Sequence, residues 1–290
     1  MTLTGELLIG AADVAATAGT MKALNPATGE VIEPEFAFGG AAEVDRAIRL
    51  ADRAFDSYSH TALAERAAFL DLVADKLEAV KDELAARTSL ETGLSAAQFE
   101  GEILRSAANF RKFAGVVRQG RFLQAAIDPA QPDRQPAPRM DHRLQKMALG
   151  PVVIFGAGNF PVSYSVAGGD TASALAAGCP VVLKARNAHP GASEIEGRVI
   201  REAVTEAGLH EGVFSLIRGA GNEIGETLVG HPLVRAVTFT GSAGGGMTAI
   251  ERFPRPVTYQ NFPDELLPES LREANPLHLW RLVDGELTRD

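Results

Sequence analysis

Apolar and polar positions change period several times along the 290-residue chain, and those changes divide it. Over residues 1–40 no helical period holds. Short apolar runs broken by turn residues, with Asn25-Pro26-Ala27-Thr28-Gly29-Glu30 a clear turn, predict extended or turn-rich structure. From 41 to about 120 the pattern is helical. Val44, Ile48, Ala51 and Phe55 recur at about one helical turn, as do Leu70, Val73, Leu77 and Val80. Gly93 is expected to end the second helix, and a third is expected over 97–117. Between 124 and 140 four prolines (Pro129, Pro132, Pro136 and Pro138) exclude a helix and predict a linker or an excursion over the surface. Beyond Leu149 the rhythm changes again. Apolar runs at 151–155, 181–184, 213–217 and 236–240 alternate with helical stretches at 163–177, 191–207 and 222–229. Unalternated apolar runs are strands buried on both faces, so the expected fold is α/β: a doubly wound parallel sheet with an N-terminal helical layer and a short C-terminal tail.

Composition narrows the functional classes. A hydrophobic share of 46% with 22% charged residues fits a globular domain with a sizeable core. A net charge of −9 without any Lys/Arg cluster argues against nucleic acid as a partner. One cysteine excludes an intrachain disulfide framework and a thiolate zinc site. No apolar run approaches a membrane span, and residues 1–20 lack the basic start and apolar core of a signal peptide. The expected setting is cytoplasmic, with no membrane contact.

Candidate chemistry gathers at 150–184, GPVVIFGAGNFPVSYSVAGGDTASALAAGCPVVLK, which reads as strand, Gly-rich turn, helix, strand. A Gly-rich turn at a strand's carboxyl end lets a ligand approach the backbone. Lys184 ends the second strand, where a cation either donates to ribose hydroxyls or phosphate, or snorkels to solvent. Thr240-Gly241-Ser242-Ala243-Gly244-Gly245-Gly246 is a second turn of this kind, and Ser242 with its neighbouring amides would suit an anion at a helix N-terminus. Cys179, between a helix end and a buried strand, reads as a small buried hydrophobe. Glu91 reads as solvated or locally paired.

The runs Phe155-Gly156-Ala157-Gly158-Asn159-Phe160-Pro161 and Ala167-Gly168-Gly169-Asp170-Thr171-Ala172-Ser173-Ala174 resemble the cofactor-domain core of the aldehyde dehydrogenase superfamily, and within it the 2,5-dioxovalerate (α-ketoglutarate semialdehyde) dehydrogenase branch. The resemblance implies that 1–246 is a Rossmann-like NAD(P)-binding domain. Its dinucleotide would be held by Phe155, Gly156, Lys184, Arg186, Asn187, Gly221, Gly225, Gly241, Ser242 and Gly246. In that scheme Lys184 matches the lysine on the adenosine ribose, and Asn159 matches the asparagine of the oxyanion hole. Where members that prefer NAD often carry a glutamate on the ribose 2′-hydroxyl, this chain has Asn187, with Arg186 beside it and His189 close by. Amide and guanidinium donors would accept a 2′-phosphate, so NADP is the expected cofactor and NAD the second choice.

The same resemblance implies a small aldehyde as substrate, a cysteine nucleophile and a glutamate base. Both would lie in a domain following Ser242. Here only seven residues separate Gly246 from Pro254, and Arg255-Pro256-Val257-Thr258-Tyr259-Gln260-Asn261-Phe262-Pro263 already resembles the family's C-terminal end. The expectation is a catalytic domain absent between 1–246 and a 247–290 tail, with dinucleotide binding retained and turnover lost; the alternatives are an active NADP-dependent enzyme with a non-standard nucleophile and a non-functional or engineered fragment. Phe262, Leu266, Leu267, Leu271, Leu277, Leu279 and Trp280 in that tail are expected to form an exposed, self-associating patch.

Overall fold

The structure is a computed structural model, and it describes residues 1–239 and 246–289. The chain opens with β1 (Leu7–Ile9), β2 (Ala12–Val14), β3 (Thr20–Leu24) and β4 (Val31–Ala37). The NPATGE turn joins β3 to β4, which pair with each other as a separate ribbon. Four helices follow, α1 (Ala41–Ser59), α2 (Leu63–Ala79), α3 (Lys81–Thr92) and α4 (Ala96–Gln119). The single helix expected before Gly93 is therefore broken at Val80, which ends α2 and begins α3. α2 lies on α4, α6 and α5, and beyond the break α3 lies on α4 and α6. Gly93, at φ 72°, ends the third helix rather than the second, in the left-handed conformation that favours glycine.

After β5 (Ala126–Asp128) and β6 (His142–Ala148) the α/β section runs β7 (Val152–Phe155), α5 (Gly169–Ala177), β8 (Val181–Lys184), α6 (Pro190–Glu206), β9 (Phe214–Ile217), α7 (Glu223–Gly230) and β10 (Ala236–Phe239). The main sheet has the order β10-β7-β8-β9-β1-β2. Its first four strands are parallel, and β1 and β2 extend it antiparallel. Side chains alternate across it. Val152, Ile154, Val181, Leu183, Phe214 and Leu216 join the core built with α2, α4, α5 and α6. Val153, Val182, Ile217, Leu7 and Ile9 face Val44, Ile48 and Ala51 of α1 and Ile224 and Leu228 of α7. Both faces are covered, which is why these strands read as unbroken apolar runs.

The helix expected from 163 begins only at Gly169. Residues 161–168 form successive turns, and three of their amides donate to side chains instead of to a helical ladder. Val162 and Ser163 donate to the Glu102 carboxylate, and Ala167 donates to that of Glu196.

The stretch after 246 does not stand apart as a tail. A short 3₁₀ helix (Gly246–Arg252) leads to β11 (Pro254–Gln260), and later come β12 (Arg281–Val283) and β13 (Glu286–Thr288). With β5 and β6 these strands build a five-stranded sheet, β11-β6-β5-β12-β13, and the Pro-rich excursion that joins β5 to β6 is closed by a bridge between Gln131 and Arg139. The expected wholly exposed patch is corrected accordingly. Leu267, Leu271 and Leu279 are buried, the first two with Ile127 of this sheet, while Phe262, Leu266 and Trp280 are exposed.

Candidate functional site

Strand register brings the predicted residues to one edge. Phe239 pairs with Phe155, Phe155 with Lys184, and Lys184 with Ile217, so the carboxyl ends of β10, β7, β8 and β9 form one row. Open α/β sheets bind ligands at that edge. Phe155 and Phe239 stack there, with ring centroids 4.5 Å apart and planes 13° from parallel. Gly156 turns directly over β8, its amide donating to the Lys184 carbonyl at 3.1 Å. A side chain at Gly156 would meet Ser165 Oγ at 3.1 Å, and one at Gly158 would meet Arg186 Nε at 3.2 Å. The turn thus lies tightly on the two residues that follow it in space. Across the row, Gly225 of α7 faces the Phe155 ring, and Gly221 adopts φ 66°, which only glycine takes readily.

Lys184 is half-buried and has no hydrogen-bond acceptor among the described residues. Burial, and then the neighbouring Arg186, push its ammonium below the usual lysine range. Arg186 is exposed. Two cations therefore sit together at the strand ends, one of them partly desolvated without protein compensation. Such an arrangement suits hydroxyl or phosphate oxygens.

Asn187 and His189 are both drawn into the fold, Asn187 in part. The Asn187 amide nitrogen donates to the Gly219 carbonyl at 2.9 Å and ties the β8 loop to the β9 loop. Its second amide hydrogen remains, as does its side-chain oxygen, which is buried and without a partner among the described residues. His189 is wholly buried, with Nε2 3.2 Å from the Ala157 carbonyl and Nδ1 3.3 Å from Ser193 Oγ. Burial lowers its pKa to about 4, so the ring is neutral and packs beneath the Gly-rich turn. The α6 N-terminus is likewise taken. Glu91, expected to be solvated or locally paired, does pair locally with Arg87 but is buried, and it accepts from the Gly191 and Ala192 amides at 2.8 and 3.0 Å. Burial raises its carboxyl above the usual range, against the pull of Arg87 and the two amides.

Asn159 lies exposed at the tip of the Gly-rich turn, beside Phe160, whose ring meets Tyr164 edge-on at 5.2 Å. Gly241 and Ser242 fall outside the described residues, and Gly246 opens the 3₁₀ helix. Cys179 is fully buried, its Sγ 3.8 Å from the Phe253 carbonyl, and desolvation raises the thiol pKa. It precedes β8 at the end opposite Lys184. Five residues at about 3.3 Å each place it roughly 16 Å from the ligand edge. Among the described residues no three His, Cys, Asp or Glu side chains gather as a metal site, and no helix is long and apolar enough to cross a membrane.

Sequence reasoning passed over Phe239, although it stands directly before the Thr240-Gly241-Ser242 turn. It also passed over Glu102 and Glu196, whose spacing carries no signal.

A doubly wound sheet with a Gly-rich βα turn and a lysine ending the next strand is a Rossmann-like arrangement, and sequence comparison gives its family. The aldehyde dehydrogenase profile matches residues 14–258, and the chain belongs to that family. It is 57% identical over 252 residues to alpha-ketoglutaric semialdehyde dehydrogenase 2 of Azospirillum brasilense, covering 87% of this chain and 48% of that protein. It is 40% identical over 258 residues to the alpha-ketoglutaric semialdehyde dehydrogenase of Acinetobacter baylyi, covering 88% and 49%. Among solved structures, PnpE in complex with nicotinamide adenine dinucleotide superposes with a TM-score of 0.71 at 31% identity, over 86% of this chain and 48% of that one. The chain spans about half the length of the curated relatives it matches.

Proposed function

We propose that this chain is a nicotinamide dinucleotide-binding module of the aldehyde dehydrogenase family that does not turn over an aldehyde. The observation that carries the binding half is the Lys184–Arg186 pair: a half-buried ammonium and an adjacent guanidinium at the strand ends, neither with an acceptor among the described residues. Lys184 would hold the adenosine ribose, and the turn at Gly156 and those at Gly221 and Gly225 would admit the cofactor backbone. Gly241, Ser242 and Gly246 would receive the pyrophosphate. When bound, the cofactor supplies a hydride acceptor. Asn159 would offer one oxyanion donor at the same edge, but catalysis also needs a thiolate there, and the only cysteine is Cys179, buried at the other end of β8.

The lineage activity that supports this reading is oxidation of α-ketoglutarate semialdehyde or a similar aldehyde to the acid, after the relatives' names. The nucleophile and base of that reaction would belong to a region absent between Gly246 and Pro254. NADP is the preferred cofactor on the strength of Arg186. A second reading, NAD, draws on Asn187: with one amide hydrogen committed to Gly219, its unpartnered oxygen is an acceptor, suited to a 2′-hydroxyl. We also infer that Phe262, Leu266 and Trp280, which stay exposed, favour self-association, which light scattering would detect.

Fluorescence titration with NADPH and NADH tests the reading. Saturable binding, tighter for NADPH and losing that preference in Arg186→Ala, is the expected result. Failure to bind either dinucleotide overturns it, and tighter binding of NADH selects the second reading.

A further inference from the structure

The Gly-rich turn after β7 has few ties of its own. The Gly156 amide donates to the Lys184 carbonyl and the Ala157 amide to the Tyr164 carbonyl at 3.0 Å, while Gly158 and Asn159 make no hydrogen bond among the described residues. Glycines at 156 and 158 leave such a loop many conformations to lose. A ligand that lands on it binds more tightly if the turn is already set. One side chain sets it from beneath. His189, wholly buried at the start of α6, brings Nε2 to 3.2 Å from the Ala157 carbonyl, and among the described residues no other donor meets that oxygen.

The partners of the ring fix where its proton sits. A carbonyl only accepts, so Nε2 must carry a hydrogen. No carboxylate contacts the ring among the described residues, and the charge acting on it, that of Arg186, is of the same sign as an imidazolium. Burial first, and then that charge, keep the ring neutral, so Nδ1 is left as a bare acceptor. It faces Ser193 Oγ at 3.3 Å, one helical turn along α6, and the same hydroxyl lies 2.9 Å from the His189 carbonyl. The serine proton has an acceptor on either side, and neither arrangement requires a hydrogen on Nδ1. Ser193 therefore supports the ring from behind while Nε2 holds the turn in front. The turn in its place seats Arg186: a side chain at Gly158 would meet Arg186 Nε at 3.2 Å and Cγ at 3.4 Å, so the arginine stem lies along the glycine.

We propose that His189, as its Nε2–H tautomer, is a positioning residue that holds the Gly-rich turn through the Ala157 carbonyl, and with it Asn159 and the seat of Arg186, in the form that receives the dinucleotide. The ring itself touches no ligand, since it is sealed beneath the backbone it holds. Its effect on binding rests on the function proposed above, whereas the tautomer and the hold on the turn do not.

Long-range proton–nitrogen NMR of the full chain with labelled histidine, at neutral pH, reads the tautomer directly, and His189→Gln identifies the signals by their loss. The expected result is a neutral ring protonated at Nε2. Hydrogen exchange reads the hold. His189→Met removes the donor and should raise deuterium uptake over 156–164 while α1 to α4 stay protected. In His189→Gln the amide nitrogen takes the place of Nε2 and should restore protection. Ser193→Ala, a milder change behind the ring, should raise uptake over the same residues to a smaller degree. NADPH affinity should follow the same order, weakened roughly 5-fold or more in His189→Met and largely recovered in His189→Gln. A ring protonated at Nδ1 or at both nitrogens overturns the proposal. So does uptake over 156–164 that rises in neither His189→Met nor Ser193→Ala, or an NADPH affinity that His189→Gln fails to recover. If the wild type binds no dinucleotide, the function reading fails, while the tautomer and the exchange pattern still decide whether His189 holds the turn.

Discussion

Lys184→Met is expected to move affinity and stability in opposite directions. The wild-type ammonium is partly desolvated at the end of β8, is repelled by Arg186 and has no acceptor among the described residues. In the free protein it therefore costs stability. Methionine keeps the apolar stem without a charge to desolvate, so the variant should be at least as stable, by up to ~1 kcal/mol in the manner of substitutions at strained functional positions. With dinucleotide bound, the same ammonium would make charge-assisted hydrogen bonds to ribose oxygens. Losing such a bond costs about 1.5–3 kcal/mol, or roughly 10- to 150-fold in Kd. Isothermal titration with NADPH measures the first effect and denaturant unfolding of the apo chain the second. The pH dependence supplies a further check. Because the folded-state pKa lies below the unfolded value of 10.5, the unfolded chain binds the extra proton in the window between them. Wild-type stability therefore gains with rising pH there, relative to Lys184→Met. An unchanged Kd together with reduced stability would refute the reasoning, and Lys184 would then be a snorkelling lysine that supports the strand end.

Three further outcomes follow from buried groups. Arg218 is wholly inaccessible, donates to the Gly5 and Glu6 carbonyls at 2.8 and 2.5 Å and lies over the Phe36 ring, so Arg218→Met should lose about 3–5 kcal/mol in urea unfolding; a loss of under ~1 kcal/mol would deny it that role. His189, with a folded pKa of about 4 against 6.5 unfolded, should contribute stability that is complete above pH 6.5 and falls as pH drops toward 4, by about 3 kcal/mol. Stability curves of wild type and His189→Gln should therefore diverge across that window, and parallel curves would count against a neutral buried ring. Cys179 should react with a thiol reagent only as fast as the chain unfolds, and rapid labelling of the native protein would reopen its candidacy as a nucleophile.

The parallel strands were legible almost to the residue, because a strand buried on both faces leaves an unbroken apolar run. β8 was expected at 181–184 and spans Val181–Lys184. Lys184 and Gly156 meet at one edge for the same reason, since register follows from strands of matched length. The break at Val80 left no mark, as Lys81, Asp82 and Glu83 are acceptable helix residues and neither glycine nor proline interrupts them. Elsewhere the cause is non-local. Glu91 looks like a surface charge until α6 brings two free amides to it from a hundred residues away. The start of α5 moved because Glu102 and Glu196, distant in sequence, took the amides of 162, 163 and 167. In β11 the prolines Pro254 and Pro256 speak against a strand, yet an edge strand tolerates them where the missing N–H faces outward.

A chain half as long as its relatives would be expected to leave its core open, and here the segment from 249 to 260 closes it. Ala249, Ile250 and Phe253 join the main hydrophobic core beside α4 and α5. The Phe253 carbonyl accepts from the Leu149 amide at 2.8 Å, just where β6 passes toward β7. From there β11 pairs with β6 along its full length, from Pro254 with Ala148 to Gln260 with His142. Arg143 then locks the next loop, donating to Asp141, Asp264, Glu273 and the Leu271 carbonyl. The core of the main sheet is thus sealed from below and behind by residues after 246. What stays uncovered is the mouth of the site, where Phe239 is 67% exposed against Phe155. An exposed Phe239 stacked on a half-buried Phe155, beside the buried strands β8 and β9, is an apolar surface at the ligand edge that suits cover by something bound, which is in keeping with the dinucleotide binding proposed above.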